Sequence, residues 1–302
     1  MADRTAELPP PRAEQAYFTV FAIETGVLSL PAFLLLDPND VDPTSRWAAP
    51  ALSFVLQHSA NKGYTLFDLG IHKQYKSLPP AALEIIPYFE PVSVAEDAAD
   101  HIIAGGLQPS DISHVIISHA HWDHTGEPGL FPKATVVVHQ GTKDRVDNGY
   151  PKNPRSSLPQ DLLPSDRVHV LDDTTEWRPI GPFPRAYDLF SDGSAYIIDA
   201  PGHVEGHINL LVRTSADGAW IMLLGDSCHD RRLLSGELHF AIDVDEQGRR
   251  TTKMHTDLVA AQGHLVRVRE LMKNPRVRAL LAHDVPWWEE RKGFWPDKIA
   301  SL

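Results

Sequence analysis

Within the stretch ISHAHWDHTG, residues 117–126, six consecutive positions hold His119, His121, Asp123 and His124. Imidazole nitrogens and carboxylate oxygens are ligands for zinc and other divalent transition metals. A lone histidine is ordinarily a core or surface residue, but three with a carboxylate, directly after the apolar run Val115-Ile116-Ile117, are poorly explained that way. In an extended segment, side chains two apart point to the same side. His119, His121 and Asp123 would then share one side and His124 would turn away, so a strand running out into a loop could offer ligands to two adjacent sites.

Four residues do not complete two metal sites, so further ligands must come from elsewhere in the chain. They follow the ends of later apolar runs: Pro201-Gly202-His203 after residues 195–200, Gly225-Asp226 after 219–224, and Ala282-His283-Asp284 after 277–281. A His or Asp immediately beyond each run is what convergence on one edge of a sheet would look like. Gly202 and Gly225 permit the tight turn or close approach needed there.

The elements that must position these residues are short apolar runs separated by turn signals. Residues 17–30, 52–57, 64–69, 114–118, 134–138, 167–171, 186–190, 195–200, 209–214, 219–225 and 277–282 read as strands. Ser191-Asp192-Gly193 and Ala216-Asp217-Gly218 read as hairpin turns. Residues 94–104 and 256–273 have helical spacing. Helices leading into strands with hairpins between them suggest an α/β sandwich, sheets inside and helices outside. No linker divides the chain, so residues 1–302 are expected to form one domain, with the Pro-rich tail 1–16 loosely ordered. The Pro-rich segments 73–91 and 142–164 suit lids or pocket walls, and equally passive surface loops.

Composition bounds the function. With 302 residues, 42% hydrophobic and 23% charged, the chain can bury a large core. A formal net charge of −12 argues against a nucleic-acid partner, whose phosphates call for Lys and Arg. The apolar segment 27–36 is too short to span a bilayer, and the N-terminus lacks a secretory signal, so a cytoplasmic protein is expected. A single cysteine, Cys228, leaves no disulfide and no Cys-rich metal knuckle. It reads as a buried, inert thiol.

Taken together, HAHWDH, PGHVEGH, GD and AHD resemble the metallo-β-lactamase fold superfamily, from YTLFDLG at Tyr64 to His283. The resemblance implies a four-layer αββα sandwich with two divalent metal ions, zinc foremost. His119, His121 and His203 would hold one ion, Asp123, His124 and His283 the other, with Asp226 bridging. His207 and Asp68 would support these ligands by hydrogen bonding. The remaining histidines, His255 and His264 among them, show no partner pattern and read as structural or surface residues.

Two such ions would lower the pKa of a shared water and polarise a carbonyl, making hydrolysis the expected chemistry, with Asp123 moving the proton. YDLFSDGSAYIIDAPGHVEGHINLLV and LLGDS are most similar to the lactone-hydrolysing branch typified by the N-acyl-homoserine lactonases. Those place a tyrosine three residues after the position of Asp226 to hold the substrate carbonyl. Here His229 stands there, and can also donate a hydrogen bond. The expectation is a dinuclear hydrolase that opens a lactone or a related cyclic ester or lactam. The alternative is a thioesterase, glyoxalase-like or acting on a carrier-bound polyketide. DVPWWEERKGFWPDKIASL stands where glyoxalase-type relatives carry a basic helical region, which disfavours that version. Trp122, Trp287 and Trp288 are expected with His229 around a ring-containing, apolar or aromatic substrate. A homodimer is compatible with all of this.

Overall fold

In the computed structural model, which describes residues 7–244, 246–248 and 250–302, two six-stranded sheets face one another. The first runs in chain order: β1 (Phe18–Pro31), β2 (Arg46–His58), β3 (Tyr64–Phe67), β4 (Ile112–Ile116), β5 (Thr135–His139) and β6 (Val168–Leu171). The second contains β7 (Arg178–Ile180), β8 (Phe183–Asp188), β9 (Ala195–Asp199), β10 (Ile208–Arg213), β11 (Trp220–Leu223) and β14 (Val277–Leu280), in the order β14-β11-β10-β9-β8-β7. A separate hairpin pairs β12 (Asp243–Val244) with β13 (Arg250–Thr251).

Alternation along the strands assigns the layers. Phe18, Val20 and Ala22 of β1 pack inward against Leu210 and Val212 of β10. Phe21 and Ile23 point outward to Ala98, Ala99 and Ile102 of the helix Ala98–Ala104. Leu211 and Met222 cover the other outer face with Leu265, Val268 and Leu271 of the helix Leu258–Met272. The result is the αββα sandwich, each sheet burying one face on its partner and the other under helices.

Strand direction puts the loops that matter at one end. β3 is parallel to β4. β9 and β11 are each antiparallel to β10, and β11 is parallel to β14. The carboxyl ends of β9, β11 and β14 therefore share an edge. Backbone hydrogen bonds then join the two sheets there: Ile208 N–H donates to Ser118 O at 2.8 Å and Leu52 N–H to Ala282 O at 2.9 Å.

Several boundaries differ from the sequence pattern. The helix expected over 94–104 begins only at Ala98, because Asp97 caps it: its carboxylate accepts from Asp100 N at 2.9 Å and Asp100 answers from its own side chain at 3.0 Å. The strand read over 52–57 is half of β2. Its first half, containing Pro50, pairs with residues 27–31 beyond a bulge after Glu24, and carries no alternating pattern. The segment 73–91 holds the short helices Tyr75–Ser77, Pro80–Ile85 and Ile86–Phe89, and 142–164 begins inside the helix Gln140–Asp147. Of the tail, residues 1–6 lie outside the described residues. Residues 7–16 carry no helix or strand, yet Arg213 donates to Pro9 O at 2.8 Å and Gln15 to Asp192 O at 3.0 Å. Among the described residues no helix is long and apolar enough to cross a membrane.

Candidate metal centre

At the shared edge the structure brings together all seven residues expected to bind metal. Nε2 of His119 and Nε2 of His203 each lie 3.0 Å from Nδ1 of His121. Asp226 Oδ2 lies 3.7 Å from His119 Nε2, 3.5 Å from His203 Nε2 and 3.2 Å from His124 Nε2. Its Oδ1 is 3.4 Å from His283 Nε2, which is also 3.5 Å from Asp123 Oδ2. Asp226 thus touches both ligand groups, the triad His119, His121 and His203 and the triad Asp123, His124 and His283.

The donor set fits divalent cations. A tetrahedral ion with bonds of roughly 2.0–2.2 Å sets its ligand atoms about 3.3–3.6 Å apart, close to these separations. Three ring nitrogens meeting at one point cannot all be satisfied by protons, whereas their lone pairs can share one cation. His124 Nε2 and Asp226 Oδ1 are buried without a hydrogen-bond partner among the described residues, although buried polar atoms are ordinarily paired. The two clusters have the capacity to hold one or two divalent metal ions.

Supporting residues fix which nitrogen His119, His124 and His283 present. Asp68, directly after β3 with φ of 59°, is buried and accepts from Ser118 N–H at 2.6 Å, Ser118 O–H at 2.7 Å and His124 Nδ1–H at 2.9 Å. Ser118 Oγ, having donated to Asp68, accepts from His119 Nδ1 at 2.9 Å. One carboxylate therefore orients a histidine in each cluster. His283 Nδ1–H donates to Pro50 O at 2.7 Å, which leaves Nε2 facing Asp226. His207 accepts the Asp226 N–H at Nε2 (3.1 Å) and donates from Nδ1 to Ala200 O (3.1 Å), so it holds the Asp226 backbone and binds no cluster itself.

Electrostatics divide the site in two. Burial drives His119 and His203 well below the ordinary imidazole range, and His121 down to about 4, so these three rings are neutral donors. Burial opposes charge on His124 and His283 as well, but Asp226 and the neighbouring carboxylates win. They raise His124 well above its ordinary value and His283 to about 10. Asp226 is held well below the carboxylate range, against burial, by His124, His229 and His283. The second cluster thus attracts positive charge, which a metal ion can supply in exchange for those protons.

A cavity of about 580 Å³ opens over the cluster, a size suited to a small organic ligand. His121, Asp123, His203, Asp226, His229 and His283 form its floor. Leu30, Ile85, Phe89, Trp122, Val204, Met254 and Leu258 supply apolar wall, and Arg145 and Ser157 a polar one. Segments 73–91 and 142–164 both contribute wall residues. Trp122 is 7% exposed and lies 6.2 Å from the Phe89 ring. His229 Nε2 lies 3.1 Å from Asp226 Oδ2, and its ring stacks on His283 at 5.7 Å.

Two expected substrate residues are elsewhere. Trp287 packs between the sheets with Phe294, ring centroids 5.3 Å apart, and Trp288 donates to Glu24 while Arg291 covers its ring at 4.4 Å. The helix Val285–Glu289 starts right after His283 and turns both rings from the cavity. Conversely, His255 lines the cavity although no motif along the chain singles it out. It is 4% exposed, 5.1 Å from the His203 ring and 5.8 Å from the His229 ring, with both ring nitrogens unpartnered among the described residues. Thr256 N–H donates to His203 O and Asp257 N–H to Gly202 O, both at 2.9 Å, and this long-range pairing delivers it. Cys228 is buried, its thiol pushed up by burial, and no ligand group includes it.

The family model described as the metallo-beta-lactamase superfamily matches residues 46–221. The chain belongs to the metallo-beta-lactamase superfamily. The chain is 31% identical over 271 residues to the cytochrome P450 monooxygenase mpaDE' of Penicillium brevicompactum, covering 83% of this chain and 31% of that protein. It is 31% identical over 230 residues to the gamma-lactamase FDB1 of Fusarium pseudograminearum, covering 72% of this chain and 55% of that protein. The chain therefore spans about a third to a half of the length of these curated relatives. Among solved structures, the fold matches B. thuringiensis AiiA bearing N-decanoyl-L-homoserine at its active site, with a TM-score of 0.68, 18% identity, and coverage of 94% of this chain and 99% of that one. The superfamily match ends before Asp226 and His283, so those two candidate ligands rest on geometry.

Proposed function

We infer that this chain is a metal-dependent hydrolase that opens a small ring-containing substrate, a lactone foremost and the corresponding lactam second, with zinc at both sites. The observation that carries this reading is Asp226 touching two ligand triads on the floor of a partly apolar cavity. Zinc suits a set of imidazoles with two carboxylates. The gamma-lactamase relative supports the lactam arm. AiiA, whose bound N-decanoyl-L-homoserine is the ring-opened form of a lactone, supports the lactone arm.

Divalent ions bound there would supply Lewis acidity toward a carbonyl and a water of lowered pKa. Ring opening consumes one water: a carbon–oxygen bond forms at the carbonyl carbon, the ring carbon–oxygen bond breaks, and a proton moves to the departing oxygen. Asp123 faces the cavity. Burial alone would raise its pKa, but His124 and His283 hold it lowered, so it is ionised and can take that proton. His229 lines the cavity floor with its Nε2 3.1 Å from Asp226 Oδ2; with Asp226 taken up by metal, that N–H would be free for a substrate carbonyl. Trp122 and Phe89 line the cavity and supply aromatic surface against which the ring can pack.

The test is chelation and reloading. Elemental analysis should find about two zinc ions per chain, the complement of a two-metal hydrolytic site. A panel of lactones, lactams and thioesters assayed by pH-stat should show ring opening that chelator abolishes, zinc restores and His121→Ala lacks. Ring opening indifferent to chelation, or thioesters cleaved faster than every lactone and lactam, would overturn the reading.

A further inference from the structure

We propose that Arg145 is a specificity residue that binds an anionic substituent, a carboxylate above all, on the ring-containing substrate, so that preferred substrates are ring acids rather than neutral rings. The identity of the ring rests on the proposed function; the charge is new.

Arg145 sits in the last turn of the helix Gln140–Asp147, which follows β5, and its side chain lines the cavity over the metal centre. It is half-buried, and its Nε is sealed from solvent without a hydrogen-bond partner among the described residues. It makes no ion pair there either. Its charge is felt by Glu205 and His121 without a direct contact to either. Four arginines elsewhere in this acidic chain are paired with carboxylates. Arg231 meets Asp284 at 2.5 Å, Arg276 meets Asp217 at 2.5 Å, Arg291 meets Glu24 at 2.7 Å and Arg232 meets Asp230 at 2.8 Å.

Of the other cations of the cavity wall, Lys253 is exposed, 3.6 Å from Asp243 and over the Phe33 ring at 5.3 Å, and Arg250 is exposed to solvent, so neither shares the burial of Arg145. Withdrawing a guanidinium from water without a partner is costly. Burial lowers the Arg145 pKa, the signature of that cost. A planar fork of donors is matched by a carboxylate, which takes two parallel hydrogen bonds. With Trp122 and Phe89 as apolar wall, the cavity suits a flat ring bearing one acidic group.

The experiment uses the zinc-loaded protein and two matched pairs. Chroman-6-carboxylate and chroman-6-carboxamide cannot be hydrolysed at the ring and report binding by calorimetry. The dihydrocoumarin acid and amide of the same pattern report turnover. The wild type should bind the acid about ten- to a hundredfold more tightly than the amide, the worth of a charge-assisted hydrogen bond. Arg145→Gln should lose that preference while binding the amide as before, which also certifies its fold. Arg145→Lys should retain part of it. The same preference should appear in kcat/KM on the dihydrocoumarins, carried mainly by KM. A wild type without preference for the acid, or a Gln variant that keeps it, overturns the proposal. Binding preference that tracks Arg145 while neither dihydrocoumarin is opened supports the anion site and counts against the ring-opening reading.

Discussion

Asp68→Asn isolates what one carboxylate does for both candidate metal sites. Asp68 accepts three hydrogen bonds, from Ser118 N–H, Ser118 O–H and His124 Nδ1–H, at 2.6, 2.7 and 2.9 Å. Asparagine has the same shape and tolerates the positive φ of 59° at this position. It keeps one acceptor oxygen but presents an amide donor to either Ser118 or His124. His124 then loses the charge that fixes its tautomer, and His119 loses part of its orientation through Ser118. Substitutions of this kind cost about 10–100-fold in metal affinity, equivalent to about 1.4–2.8 kcal/mol.

The cluster containing His124 should lose more than the one containing His119, because the contact to His124 is direct. Competition with a chromophoric chelator should therefore show one weakened zinc ion, with the second changed less. Asp68→Ala should additionally lower stability by about 1–3 kcal/mol for each donor left buried and unpaired, read from denaturant midpoints of the metal-free protein. Wild-type affinity at both sites in Asp68→Asn would show that Asp68 does not orient the ligands.

The two tryptophan classes should separate. Trp287→Ala, in the inter-sheet core, should cost about 3–5 kcal/mol of stability with little change in KM, whereas Trp122→Ala should raise KM for aromatic rings; denaturation curves and steady-state kinetics on both variants decide it. His264, buried and bonded to Asn209 Oδ1 at 2.7 Å, has its pKa lowered to about 3 by burial. Its folded pKa lies below the unfolded value of about 6.5, so the neutral form stabilises the fold above pH 6.5 and that stability drains away as pH falls toward 3. Relative to His264→Gln, the wild type should lose about 2 kcal/mol between pH 7 and 5. Parallel stability–pH curves for the two proteins would refute it.

The candidate metal ligands were legible because His119, His203, Asp226 and His283 follow the ends of apolar runs, where a strand stops and its polar neighbours can gather at the sheet edge. The hairpin-rich middle was equally legible, since Ser191-Asp192-Gly193 and Ala216-Asp217-Gly218 mark turns between apolar runs, and β8–β9 and β10–β11 pair antiparallel across them. Spacing alone could not group these residues into clusters. That depends on β9, β11 and β14 ending at one edge and on the two backbone hydrogen bonds that join the sheets beside it.

The cavity wall was the least legible part. Trp287 and Trp288 stand next to His283 in the chain, but a helix beginning at Val285 carries them into packing. His255 and Arg145 are far from every ligand motif in sequence, and pairings with residues 202–203 and the position of the helix after β5 bring them to the site. Local chemistry along the chain determined which side chains could bind metal; only the tertiary structure decided which of their neighbours face the substrate, because proximity in sequence does not survive a change of element.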